Sequence, residues 1–330
     1  MGAYYIVFSP ERIHDRVRGK VLVLTKMRNG AVRSMSISNE VDFEARDEVL
    51  SAAFREACRA VKMGWTERLA VLLREHPALA EARSKQGRTL LHHLCDWPGH
   101  YPNQVESGRL LVTAGADVNA RAIDPERGET GLQWTASNDD VALATLLLDA
   151  GAPVDGLNDD RRPLAQAIWY GCMQVRELLL ARGAALDLEL AAAVGRVDLL
   201  PGFFGEDGEL LASAGVHREP VNTSMTGEPI ANELLQQALV YACIGGSVEA
   251  AAFLLDRGAD VNAIPRGFDA TGGAPLHWAA ASGNAALVEL LARRGADLAA
   301  RDRRYSSTPA GWANHFKQAE TEALLRQLGG

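Results

Sequence analysis

Lysine is nearly missing from this 330-residue chain, with five residues among 34 basic side chains. The 42 acidic residues outnumber the basic ones and leave a net charge of −8. A chain without basic excess lacks what binding to a phosphate backbone normally needs, so general nucleic-acid binding is not expected. No uninterrupted apolar stretch approaches the roughly 20 residues of a membrane span, so no membrane association is expected. The start of the chain has no basic n-region, and Glu11 and Arg12 interrupt any apolar run, which argues against a secretory signal. Cysteine occurs only at 58, 95, 172 and 243, never as a CxxC pair and always within helical patterns. Such residues read as small core side chains of a reduced, cytoplasmic protein. Walker loops, GxGxxG, GxSxG and HExxH are all lacking, and Gly245-Gly246 and Gly272-Gly273 stand in the wrong context for phosphate. No cofactor and no metal are expected, and no motif names a reaction. What is present is 47% apolar and 23% charged residues, enough for a sizeable core and too apolar for overall disorder.

Self-similarity organises most of the chain. Arg257-Gly258-Ala259-Asp260-Val261-Asn262-Ala263 recurs as Ala114-Gly115-Ala116-Asp117-Val118-Asn119-Ala120, and in weaker form around Gly151, Gly183 and Gly295. A second phrase, Ala274-Pro275-Leu276-His277-Trp278-Ala279, opens 21 residues before Gly295. Thr308, Thr130, Arg162 and Gln237 keep that same distance to Gly329, Gly151, Gly183 and Gly258. Between the two phrases lie two short helical patterns. Pro275 suits the first turn of a helix, Gly283-Asn284 breaks it, and Leu287, Leu290 and Leu291 give the second helix one apolar stripe. Gly295 then fits a left-handed residue beyond the helix end. Each pair leaves a face that only a neighbour can cover, so the expected product is an all-α solenoid.

These phrases resemble the ankyrin repeat family, over roughly residues 50–330. The resemblance implies an ankyrin-repeat solenoid of seven units, at about 87–121, 122–156, 157–187, 188–204, 233–263, 264–300 and 301–330. A helical capping unit at 46–86 precedes them, and the last unit, running to Gly329-Gly330, leaves no room for a further domain. Residues 1–45 do not fit the repeat. Tyr4–Phe8 and Val21–Thr25 read as strands, and Asn29-Gly30 reads as a hairpin turn, so a small N-terminal β-element is expected. A disordered leader is the alternative. Three departures interrupt the pattern: five extra residues around 96–103, a fourth unit compressed to 188–200, and an inserted loop at 205–232.

The resemblance also implies that the residue between His and Ala of the opening phrase faces a concave groove. Those positions hold His93, Trp134, Gln166, Tyr241, Trp278 and Trp312, and one helical turn later come Asp96, Trp97, Trp169 and Tyr170 among others. A binding groove of Trp97, Trp134, Trp169, Tyr170, Tyr241, Trp278 and Trp312 follows. Its alternative is ordinary packing of each tryptophan against the next helix. His92 occupies the motif histidine and is expected to be structural. His93, Asp96, Asp139 and Asp140 could form an acid–base cluster at the groove mouth, or the two aspartates could simply cap the helix that starts near Val141. A zinc site in the run from His92 to His100, which packs His92, His93, Cys95, Asp96 and His100 into nine residues, matches no established spacing.

The reading that follows is a non-enzymatic module that binds a protein partner through the aromatic groove. Acidic turn residues Asp124, Glu126, Asp159 and Asp160 would steer a basic partner. The competing reading is an enzyme or small-molecule binder with the Asp/His cluster as its chemistry and the 205–232 insertion as a lid. A third is dimerisation through the edge of the N-terminal hairpin.

Overall fold

A computed structural model of the chain describes residues 13–17, 20–26, 32–36, 48–122, 128–215, 231–265 and 271–329. It divides into two compact units, one of residues 6–153 and one built on residues 154–330.

The first unit begins with a three-stranded antiparallel sheet in which β1 (Ile13–Val17) pairs with β2 (Lys20–Lys26), and β2 with β3 (Val32–Ser36). Ile13 lies opposite Leu24, and Lys26 opposite Val32. The expected strand at Val21–Thr25 falls in β2. The strand expected at Tyr4–Phe8 and the Asn29-Gly30 turn lie outside the described residues. The strand at Ile13–Val17 was not expected, because His14-Asp15-Arg16 breaks the apolar pattern.

Helix pairs follow: α1 (Glu48–Met63) with α2 (Thr66–Glu75), α3 (Leu90–Cys95) with α4 (Gln104–Thr113), and α5 (Gly131–Asn138) with α6 (Val141–Asp149). First helices stack in the row α1–α3–α5, and second helices in the row α2–α4–α6. In the second unit the pairs are α7 (Arg162–Trp169) with α8 (Met173–Ala181), α10 (Ala231–Gly245) with α11 (Val248–Asp256), α12 (Pro275–Ser282) with α13 (Ala285–Arg293), and α14 (Pro309–His315) with α15 (Ala319–Leu328). Between the first two of these pairs stands α9 (Leu188–Ala193), so the inner row runs α7–α9–α10–α12–α14.

The α12–α13 pair shows how the sequence dictates the unit. Ala274 is extended, and its N–H donates to Nδ1 of His277 at 3.1 Å. That acceptor role puts the ring proton on Nε2, which donates to the Ser307 carbonyl at 3.1 Å and ties one unit to the turn of the next. Gly283 ends α12 at φ +76°, and the Asn284 side chain caps α13 by accepting from Leu287 N–H at 3.0 Å. Gly295, at φ +88°, then brings Ala296 N–H back to Leu291 O at 3.0 Å.

The compressed unit is α9 capped by Asp187, followed by a 3-10 turn at Leu200–Phe203 in place of a second α-helix. Residues 205–215 form a small turn whose Leu211 N–H donates to Phe203 O, and Ala214 O accepts from Leu188 N–H. This half of the expected insertion is tied to the start of α9, and just ahead of it Phe204 meets Phe253 of α11 at 5.8 Å, with Arg257 stacked on both rings. The lid expected over the groove is therefore corrected for residues 205–215; residues 216–230 lie outside the described part. The insertion also ends two residues earlier than expected, because α10 begins at Ala231.

Helices α9 and α10 are in very close contact. A Cβ on Gly245 would stand 1.8 Å from the Ala193 carbonyl oxygen, a backbone atom that cannot step aside cheaply. In an ordinary helix, Gly→Ala stabilises by about 0.5–1 kcal/mol. Here overpacking, at about 1–3 kcal/mol and upward, opposes that gain and wins. Gly245→Ala should therefore lower the melting temperature, whereas exposed Gly202→Ala, with open space around its Cβ, should leave it nearly unchanged.

Candidate functional site

Five of the seven expected groove residues are buried. Trp169 and Trp278 are each 1% exposed, and Trp134, Tyr241 and Trp312 are nearly as inaccessible. The cause is the stacking itself. Within residues 6–153, the motif imidazole of His92 covers Trp134 edge-on at 5.0 Å, and the Arg88 guanidinium lies 4.9 Å above the same indole. Within residues 154–330, Trp169, Trp278 and Trp312 form a ladder at 4.9 and 5.0 Å, His277 meets Trp312 at 5.2 Å, and Phe316 extends the row at 6.1 Å. The indole N–H groups are also occupied: Trp134 donates to Glu129, Trp278 to Gly273 O, and Trp312 to the Asp302 carboxylate. These rings pack on one another and on the motif side chains, Trp169 even reaching Trp278 of a repeat that is not its neighbour in the row, which corrects the expectation of an exposed aromatic lining at these positions. Tyr170 is half-buried. Trp97 alone of the seven is well exposed, at 45%.

The expected acid–base cluster does not come together as a reactive group. The Asp140 carboxylate caps α6 through Leu143 N–H at 3.1 Å, and also accepts from the Gln104 side chain at 2.9 Å and from His100 N–H at 3.3 Å. Asp139 is the left-handed residue that ends α5. Asp96 is bonded to Arg88 at 3.1 Å, and burial pushes its carboxyl above the usual range against the pull of Arg88 and Lys62. His93 is buried, its two ring nitrogens have no hydrogen-bond partner, and Phe54 of α1 meets its ring edge-on at 6.0 Å. Burial, reinforced by Lys62 and Arg88, drives its pKa down to about 3, so it is a neutral packing residue at physiological pH. His92 falls to about 4 for the same principal reason while bonding to Glu129 O. All four cysteines are buried free thiols, and burial raises Cys58 to about 12, which makes it a poor nucleophile. Among the described residues no three His, Cys, Asp or Glu side chains converge on a metal position. Of the acidic turn residues, Asp124 and Glu126 lie outside the described part, Asp159 is exposed, and Asp160 accepts from Arg162 N–H.

What the structure does build is an edge around the five-residue insertion between α3 and α4. His100 and Asn103 hold left-handed backbone angles that turn the loop. The His100 ring bonds to Asn138 O at 3.1 Å in the α5–α6 turn, and the Asn103 amide donates to Gly64 O at 3.0 Å in the α1–α2 turn. A Cβ on Gly64 would fall 2.3 Å from Pro102 O, so only glycine permits this approach. The inserted loop is thereby fastened to the turns on both sides of it, and it presents Trp97. The α1–α2 turn adds Met63 and Trp65, both about half exposed. Tyr101 is partly sunk into the loop, and burial, with Asp96 nearby, pushes its hydroxyl up to about 12.

One repeated device escaped the sequence reading. Arg83, Arg121 and Arg301 each fold a guanidinium back onto a carbonyl of their own turn, at Gly87, Gly128 and Ser306, over 2.6–3.0 Å. The Ala-Arg pairs at 82–83, 120–121 and 300–301 were the available signal.

A family model described as ankyrin repeats, in three copies, matches residues 210–302. The paired helices, the motif histidines bonded to the following turn and the left-handed glycines repeat that pattern outward from the matched stretch. The chain is an ankyrin-repeat protein. Its relatives include an ankyrin repeat and KH domain-containing protein, mask-1, of Caenorhabditis elegans, 26% identical over 236 residues, 71% of this chain and 8% of that protein. Another is the palmitoyltransferase ZDHHC13 of Mus musculus, 30% identical over 224 residues, 67% of this chain and 33% of the relative. This ankyrin-repeat protein thus spans a third or less of the length of those relatives. Among solved structures, the human ASB11 ankyrin repeat domain is similar over 83% of this chain and 97% of its own, with 20% identity and a TM-score of 0.44. No helix among the described residues is long and apolar enough to cross a membrane.

Proposed function

We propose that this ankyrin-repeat protein recognises another protein, and that the edge carrying Trp97 is its contact surface within residues 6–153. The observation that carries the reading is the exposed indole on a loop bonded to the turns on either side. Tryptophan is the residue type most enriched among binding hot spots, and a side chain on a fixed backbone loses less entropy when it docks. Met63 and Trp65 supply apolar area on the neighbouring turn. Within the same unit the buried Trp134 holds the stack behind this surface, packed against His92 and Arg88. Four free buried thiols suit a reducing compartment.

The test is affinity capture with quantitative mass spectrometry, comparing the parent with Trp97→Ala and with Trp97→Ala/Trp65→Ala. Trp97 is outside the core, so the variants should melt as the parent does. Proteins enriched by the parent should drop by roughly tenfold or more, the effect of losing a hot spot of about 1.4 kcal/mol. An unchanged enriched set would refute the reading.

A further inference from the structure

The turn between the last two helix pairs runs Arg301-Asp302-Arg303-Arg304-Tyr305, three arginines in five residues of a chain whose net charge is −8. Its one carboxylate is turned inward. Asp302 is 2% exposed and accepts from Arg304 N–H, Tyr305 N–H, Ser307 N–H and the Trp312 indole, at 2.6–3.1 Å. The N–H groups of Arg303 and Arg304 both donate to Thr271 O, and the Arg301 guanidinium closes the turn on Ser306 O. The backbone of the tip is therefore fixed before anything binds. The stem of Arg303 lies against Gly272, where a Cβ would come within 2.8 Å of it, and the Arg304 guanidinium lies 5.5 Å from the Tyr305 ring centre. Tyr305, at 57%, is the most exposed large side chain of its class among the described residues.

We propose that this tip docks an acidic segment of a protein partner, a proposal that rests on the recognition reading above but uses a different surface. Arginine presents paired N–H donors that match carboxylate geometry, and the exposed tyrosine adds an apolar face with a polar end. Burial of the Asp302 charge beneath backbone donors leaves the guanidiniums of Arg303 and Arg304 as the outward charge. A nucleic acid is the less favoured occupant, because the tip offers only the guanidiniums of Arg303 and Arg304 and no run of basic side chains to follow a phosphate backbone.

Fluorescence anisotropy of the full chain tests this, with a labelled peptide of alternating Glu and Gly, about ten residues long, at low salt where surface charge is least screened. The parent should bind it saturably and release it as salt rises, while a Lys-Gly peptide of equal length should not bind. Arg303→Gln/Arg304→Gln, which keeps the side-chain stems and should keep the melting temperature, should weaken binding roughly tenfold or more. Trp97→Ala should bind the acidic peptide as the parent does, so this proposal and the recognition surface at Trp97 fail separately. Absence of saturable binding to the parent, equal binding by the double variant, or tighter and arginine-dependent binding of an oligothymidine would each overturn the proposal.

Discussion

Truncating Trp278 to alanine is expected to lower the stability of the second unit by about 3–5 kcal/mol, the range for removing a large buried aromatic side chain. The indole is 1% exposed, touches Trp169 on one side and Trp312 on the other, and donates to Gly273 O. Each aromatic pair adds about 0.5–1.5 kcal/mol beyond area burial, so the loss should sit near the upper end of that range. Urea denaturation followed by far-UV circular dichroism would measure it. A cycle with Trp312→Ala should show strong coupling, the double variant losing less than the sum of the two singles. A cost below about 1 kcal/mol would mean that the ladder does not hold this unit together.

Acid should unfold this protein earlier than carboxylate protonation alone would. His92 and His93 titrate near 6.5 when unfolded, but burial holds them at about 4 and about 3 in the fold, and burial lowers His277 as well. A folded pKa below the unfolded one means that the unfolded chain binds the extra protons. The contribution of these groups is thus complete above about pH 6.5 and declines as pH falls toward the folded values. Each histidine contributes a slope of about 1.4 kcal/mol per pH unit within that window. Asp96 works in the opposite sense, because its raised pKa makes the folded state bind a proton first. His92 and His93 together outweigh one aspartate, so stability should fall steeply between about pH 6 and 4, with His277 acting in the same direction, against a total of about 5–15 kcal/mol for a typical fold. Denaturation midpoints across that range would read the slope, and His93→Phe, which keeps an aromatic packing residue, should make it shallower.

The repeat was legible because its signals are local. Gly295 stands two residues beyond the end of its helix, and His277 bonds to the N–H of Ala274 three residues before it, so both can be read from spacing alone. Asp140 capping α6 follows the same logic. The exposure of Trp134 or Trp278 was not legible, because it depends on how closely the next helix approaches. The covering groups come from residues far along the chain, as Trp169 does for Trp278. The role of Asp302 was missed for a related reason: three of its four donors are backbone N–H groups, which carry no signature in the side-chain sequence. Asp96, His93 and Asp140 looked catalytic in one dimension. In three, each is taken up by a neighbour or sealed from water.

A stack of repeats ordinarily frays from its end one pair at a time, since each pair holds only its immediate neighbours. The inserted loop changes that sequence of events for residues 48–149. Because Asn103 grips Gly64 and His100 grips Asn138, releasing α3 and α4 frees bonds in the pairs before and after them together. The three pairs are thereby bound into one opening unit, and the amide protons of α3 should exchange only when all three let go.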